Sequence, residues 1–168
     1  MGKSTIDKTG VGLAEVMRGF AMSVSIISTS DSAGNHYAMT ATAVCSVSLD
    51  PESMLVCVNK DTLFNTSVER LDRFCINLLT TKQIAQSINC SGGLPQDNRV
   101  NDADWEIPAD GPALLKKAQA HIFCKKTETY TYGTHNILIG DVYSILANDY
   151  IDPLLYMDGR YGRFSEII

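Results

Sequence analysis

Two long β-prone stretches, Ala118 to Tyr132 and Asn136 to Leu146, stand back to back around the turn Gly133-Thr-His135. Strands this close in sequence pair antiparallel, because a parallel return needs a crossover of a dozen residues or more. The rest of the chain obeys the same constraint. Val24–Thr29 is rich in β-branched residues, the turn formers Asp31-Ser-Ala-Gly-Asn35 follow, and a second strand from about His36 completes a hairpin. Thr42–Leu49 alternates small and apolar residues until Asp50-Pro51 stops it. Met54–Asn59 and Arg73–Leu79 are nearly unbroken apolar strands, and Pro153–Met157 is a short last one.

Helical spacing appears at Leu13, Val16, Met17, Phe20 and Ala21, which predicts a helix over Leu13–Met22. Two more helices are expected, over Thr62–Leu71 with Asp61 or Thr62 as cap, and over Thr81–Asn89 with Thr80 or Thr81 as cap. Residues 91–112 hold three Gly and three Pro and read as a long loop, the kind usually functional or mobile. About seven or eight strands with about three helices, and no βα alternation, exclude a doubly wound sheet. They predict a closed or partly closed antiparallel barrel with helices outside.

The 168 residues suit a single domain with 1–10 as a flexible tail. A net charge of −5 argues against a nucleic-acid surface or an anionic-membrane surface. Five cysteines, odd in number and without CxxC, lie mostly in or beside apolar runs. They are expected to be buried thiols in a reducing compartment. No apolar run approaches the roughly 18 residues of a membrane span, and no signal-peptide core is evident. Met-Gly opens the chain, but Ile6 breaks the myristoylation pattern. A cytoplasmic protein is expected.

Familiar motifs fail on context. Gly10-Val-Gly12-Leu-Ala-Glu15 starts like a dinucleotide fingerprint, yet Glu15 fills its third small position and no βαβ unit surrounds it. There is no GxxxxGK[ST]. His36, His121 and His135 have no metal spacing, and no Cys sits in an electropositive, Gly-rich setting.

Four motifs remain, each with an ordinary structural reading of its own. Tyr37–Pro51 carries small residues and hydroxyls along a strand, so a flat ring could approach its backbone; alone it is a plain barrel strand. Val58–Thr66 is a strand end followed at once by a helix start, a natural phosphate seat with Lys60 beside it; alone it is a capped helix and a solvated Lys. His135 lies at a hairpin turn, where a lone His is usually just exposed. Leu155–Gly162 brings an aromatic and an Arg together near the C-terminus.

In this order and spacing the four motifs resemble the short flavin reductase family. That family includes the reductase components of 4-hydroxyphenylacetate 3-monooxygenase and other two-component flavin monooxygenases. The likeness runs from about Val16 to Tyr161. It implies an FMN-binding split barrel, antiparallel and Greek-key-like with about three flanking helices, assembled as a homodimer with flavin near the interface. It implies an NAD(P)H:flavin oxidoreductase that reduces FMN, or FAD, by direct hydride transfer and supplies it to a partner monooxygenase. NADH is favoured, since no Arg cluster awaits a 2′-phosphate.

By the same resemblance Met39, Thr40, Ala41, Thr42, Ala43 and Ser46 line the ring and ribityl chain. Ser46 and Asn59, Lys60, Asp61, Thr62 and Asn65 hold the phosphate. His135 contacts the nicotinamide without acid or base duty, and Arg160 and Tyr161 lie close to the flavin. The family commonly has Gly-Asp-His where this chain has Gly133-Thr-His135. After Ile88 the usual flavin-covering aromatic is replaced by Asn89-Cys-Ser-Gly-Gly93 and an acidic run, Asp97–Asp102. The alternatives are a flavin-carrier or electron-transfer protein without nicotinamide activity, and a barrel that binds another planar ligand or acts as an interaction module.

Overall fold

The computed structural model describes residues 12–167, so the expected tail at 1–10 and the Gly10 end of the failed fingerprint lie outside the described residues. In chain order the elements are α1 (Leu13–Met17), β1 (Met22–Ser23), β2 (Ser25–Ser30), β3 (His36–Ala41), β4 (Val44–Leu49), β5 (Glu52–Asn59), α2 (Leu63–Arg70), β6 (Arg73–Leu78) and α3 (Ile84–Ile88). They continue with β7 (Trp105–Glu106), β8 (Leu114–Leu115), β9 (Ala120–Tyr132), β10 (His135–Ala147), β11 (Leu155–Met157) and β12 (Arg160–Gly162). Seven strands make one sheet in the order β3-β2-β6-β9-β10-β5-β4, with every pairing antiparallel.

The two edges of that sheet, β3 and β4, are consecutive in the chain and joined only by Thr42 and Ala43. Such a link reaches about 10 Å at most. The sheet must therefore curl until its edges almost meet, which makes a barrel. No ladder joins β3 to β4, so the barrel is split there and each edge keeps one unpaired side.

Each face of the sheet buries its own core. On the inner face Ile27, Val56, Val58, Phe74, Ile76 and Leu138 pack with Phe64 and Val68 of α2. On the outer face of β2 and its neighbours, Val24, Ile26, Ala38 and Leu79 pack with Trp105, Leu115 and Leu154. Burial on both faces explains why β2 lacks an apolar–polar alternation.

Three expectations change. α1 ends at Met17, well short of Met22, and Leu13, Val16 and Phe20 are exposed. Its apolar stripe finds no surface among the described residues, and a short helix without packing does not propagate. The cap of α3 is neither Thr80 nor Thr81: Gln83 Oε1 accepts from the Thr80 N–H at 3.0 Å, and the helix starts at Ile84. It then widens into a π-type turn over Asn89–Gly93. A Cβ on Gly93 would lie 2.8 Å from the Ile88 carbonyl oxygen, so that turn requires glycine.

Residues 91–112 are also more built than an open loop. Gln96–Asn98 forms a 3-10 turn, Trp105 is buried and pairs with Leu115 across β7 and β8, and Arg99 donates to the carbonyls of Leu94 and Ala38, both at 3.0 Å. Trp105 gives the segment enough apolar surface to dock.

Candidate functional site

Register and pleat place the site. Side chains directly opposite in an antiparallel pair share a face, and successive ones alternate. Val56, Val58 and Leu138 lie inside the barrel. Leu55, Cys57 and Asn59 of β5, and His135, Ile137 and Ile139 of β10, therefore face outward. His135 pairs directly with Asn59. On the other side of β5, Cys45 pairs with Leu55, and the Cys57 N–H donates to the Ala43 carbonyl at 3.0 Å. The start of β4, the end of β5 and the start of β10 thus lie side by side on one outer face.

That face carries a groove of about 430 Å³, within the range of small-molecule sites. Thr42, Ala43, Cys45 and Cys57 form one side, and Ala21 and Ser23 the other. Met22, Val44 and Leu55 complete its lining, and it lies beside the unpaired edge of β4, where backbone polar groups stay free for a ligand. A larger cavity, about 780 Å³, lies beyond α3. It is walled by Lys82, Lys116 and Lys117 opposite Asp104, Asp149 and Asp152, and lacks such a small-residue plate.

The strip is not uniform. Met39 packs on the inner core and Ala41 is part of it, so only their backbone can meet a ring. Thr40 Oγ1 donates to the Ser87 carbonyl at 2.7 Å. Thr42 and Ala43 line the groove itself. Ser46 pairs with Met54, whose side chain packs inward, and sits five residues along β5 from Asn59, roughly 17 Å away. Within the chain Ser46 and the Asn59–Thr62 turn do not converge on a single phosphate.

At the start of α2, Thr62 is the cap: its Oγ1 accepts from the Asn65 N–H at 3.2 Å and donates to the Asn59 carbonyl at 2.8 Å. Asn59 Oδ1 accepts from the Asp61 N–H at 2.9 Å, and the Lys60 N–H donates to the Thr134 carbonyl at 3.0 Å. The amides of 60–62 are thus all taken, two inside the turn and that of Lys60 by the facing hairpin. Those of Leu63 and Phe64 have no backbone partner and form the positive end of the helix. Lys60 is exposed and makes no ion pair among the described residues. Asn65 turns the other way. It is buried, with its amide donating to Glu69 and accepting from Asn136, so its side chain does not face the seat.

His135 is exposed, and its Nδ1 lies 2.9 Å from Thr134 Oγ1. Tyr161 is tied to the strip through α3: its hydroxyl is 2.9 Å from Ser87 Oγ, and its ring meets Tyr156 edge-on at 5.2 Å. Arg160 is exposed beside it. The β11–β12 hairpin turns through Asp158 (φ 51°) and Gly159 (φ 76°), the left-handed pair that two-residue hairpins require. Ser87, Asn136 and the Ala21–Ser23 wall escaped sequence reasoning, because each is an ordinary residue whose role depends on register.

The thiols do not all behave as expected. Cys75, Cys90 and Cys124 are buried, but Cys45 is exposed and Cys57 partly so, because both sit on the outer face. Burial pushes Cys90 and Cys124 up to about 12 and Cys75 further. Burial, then the neighbouring Cys45, raises Cys57. None of these four is an activated thiolate. Among the described residues no group of three or more His, Cys, Asp or Glu is arranged to hold a metal.

The split antiparallel barrel therefore carries, on one outer face, a groove, the start of α2 and the exposed His135. Residues 17–165 match the family model described as "Flavin reductase like domain", and the chain belongs to that family. It is 34% identical, over 98% of this chain and 93% of the relative, to the reductase component of the FADH(2)-dependent resorcinol hydroxylase of Rhizobium sp. (strain MTP-10005). It is 32% identical, over 88% and 81%, to the FMN reductase (NADH) RutF of Bradyrhizobium diazoefficiens. Among solved structures it resembles the NADH:FAD oxidoreductase SgcE6 of Streptomyces globisporus C-1027 in complex with NAD and FAD fragments. That likeness has a TM-score of 0.82 at 27% identity and covers 91% of each chain.

Proposed function

We propose that this chain is an NAD(P)H-dependent flavin reductase that supplies reduced flavin to a partner monooxygenase. The observation that carries the reading is the single outer face on which Thr42–Cys45, Cys57–Asn59 and His135 meet. FMN is the first choice, FAD the second, and NADH the favoured donor.

The residues present fit a flavin. Small side chains at Ala43, Thr42 and Ser23 let a tricyclic ring approach the split edge, and free edge amides there match its carbonyls and nitrogens. The Leu63 and Phe64 amides with Lys60 suit the phosphate. A bound flavin would supply the acceptor for a hydride from C4 of the nicotinamide. The protein's part is placement. The strip orients the ring, edge N–H groups stabilise negative charge where it develops, and His135 with Thr134 borders the nicotinamide on the exposed side. No side chain here is asked to move a proton.

The reading includes a homodimer acting in the cytoplasm. Leu49, Tyr132, Ile145 and Leu146 are large, apolar and more than half exposed on β4, β9 and β10, side chains that a second copy would shield. The five cysteines are free, as a reducing compartment keeps them. No helix of the described residues is long and apolar enough to cross a membrane. The test is nicotinamide consumption with and without added flavin. The expected result is NADH oxidation that requires FMN or FAD. A protein that turns yellow with flavin yet ignores both nicotinamides would instead be the carrier.

A further inference from the structure

We propose that the buried amide pair Asn65–Asn136 is a positioning device that holds the phosphate seat and the nicotinamide-side His135 in fixed register; it rests on the flavin reductase reading above. His135 and Asn136 are neighbours on β10, so their side chains take opposite faces. His135 is exposed on the outer face while Asn136 is buried on the inner one. Asn65 is the third residue of α2, one turn behind the candidate anion seat, and is also buried.

The two amides meet behind the site. Asn136 Nδ2 donates to Asn65 Oδ1 at 2.8 Å and to Glu69 Oε1 at 3.2 Å. Asn65 Nδ2 donates to the same Glu69 oxygen at 2.9 Å, and Thr131 Oγ1 donates to Asn136 Oδ1 at 2.7 Å. Both amide oxygens and both amide nitrogens are therefore engaged. The two buried amides, with the more exposed Glu69 and Thr131 at their rim, specify one pairing of α2 with β10, which the apolar contacts of Phe64 and Val68 alone do not encode. A second tether joins the same two segments on the backbone, from the Lys60 N–H to the Thr134 carbonyl. Two links thus join the start of α2 to the β9–β10 hairpin.

Hydride transfer supplies the reason. The reacting atoms must approach to roughly 3–3.5 Å, and a displacement near 1 Å costs up to about a hundredfold. A flavin anchored by its phosphate at α2 and a nicotinamide bordered by His135 are aligned only if α2 and β10 are. The device acts through these segments and touches neither ring.

The experiment compares the wild type with Asn136→Ala, Asn65→Asp and the double variant Asn65→Asp/Glu69→Gln. The double variant restores complementarity, since the introduced glutamine amide can donate to the introduced carboxylate, which still accepts from Asn136. Three quantities are measured: hydride-transfer rate in a single anaerobic turnover, flavin Kd, and amide exchange of Lys60 in flavin-free protein. Asn136→Ala and Asn65→Asp are expected to slow hydride transfer by about tenfold and speed Lys60 exchange by about tenfold, with flavin Kd within about twofold. The double variant is expected to recover most of the rate. Folded single variants with unchanged rate and exchange overturn the proposal, as does a double variant no better than Asn65→Asp. If Asn136→Ala does not fold, Thr131→Val decides by the same rate and exchange measurements. A wild type that transfers no hydride refutes the functional reading itself, while the Lys60 exchange result still judges the coupling of the two segments.

Discussion

His135 and Asn136 show how much one step along a strand changes. The outward residue is free to meet a ligand, and the inward one is locked to α2. His135→Ala is expected to raise the nicotinamide KM roughly tenfold, about 1.4 kcal/mol, while leaving flavin affinity unchanged; steady-state kinetics at varied NADH checks this. The thiols give a second residue-scale expectation. A thiol reagent should label Cys45 at once and Cys57 slowly, and should reach Cys75, Cys90 and Cys124 only on unfolding. Folding also holds those last three thiols protonated well above their usual 9.0. Between about pH 9 and about pH 12 the native state then binds more protons than the unfolded one, so stability falls as pH rises. Thermal midpoints taken at about pH 8 and about pH 10 should show that fall. Lone residues of this kind were hard to read from sequence. Asn65 carries the right chemistry for a phosphate seat, but a helix face is chosen by what packs against it, and here Glu69 and Asn136 claim it.

Elements rest on a few local devices. Thr62 closes the first turn of α2 with both lone pair and proton. Thr62→Ala should cost about 1 kcal/mol of stability and weaken flavin binding, read by denaturant midpoint and flavin titration. Gly140 on β10 leaves room for a core ring: a Cβ there would lie 2.8 Å from Phe74 Cε1 and 2.9 Å from Cys124 Cβ. Gly140→Ala should therefore destabilise by about 1–3 kcal/mol, visible as a lower denaturant midpoint. Strands such as β5 and β6 were legible because β-branched, apolar runs have few other uses. Helix ends were less so. α1 lost half its expected length for want of a packing partner, and α3 starts at Ile84 without a side-chain cap, the Gln83 amide being turned back to the Thr80 N–H.

At the scale of the whole molecule, the strand content and the absence of βα alternation pointed to a barrel, and the barrel is there, open between β3 and β4. Sheet order was not legible, because it depends on contacts far apart in sequence. That order decides which predicted site residues meet: it joins Asn59 to His135 and parts Ser46 from both. The exposed apolar residues of β4, β9 and β10 lead to an expected sedimentation mass twice the 18.4 kDa of one chain. Direct hydride transfer to a flavin on the outer face is the step on which everything else depends. Anaerobic mixing of the protein, FMN and NADH, with and without deuterium at the transferred C4 position, tests it most directly. The visible flavin band should bleach, and more slowly with the deuterated donor. No bleaching with NADH or NADPH, for FMN or FAD, would contradict it.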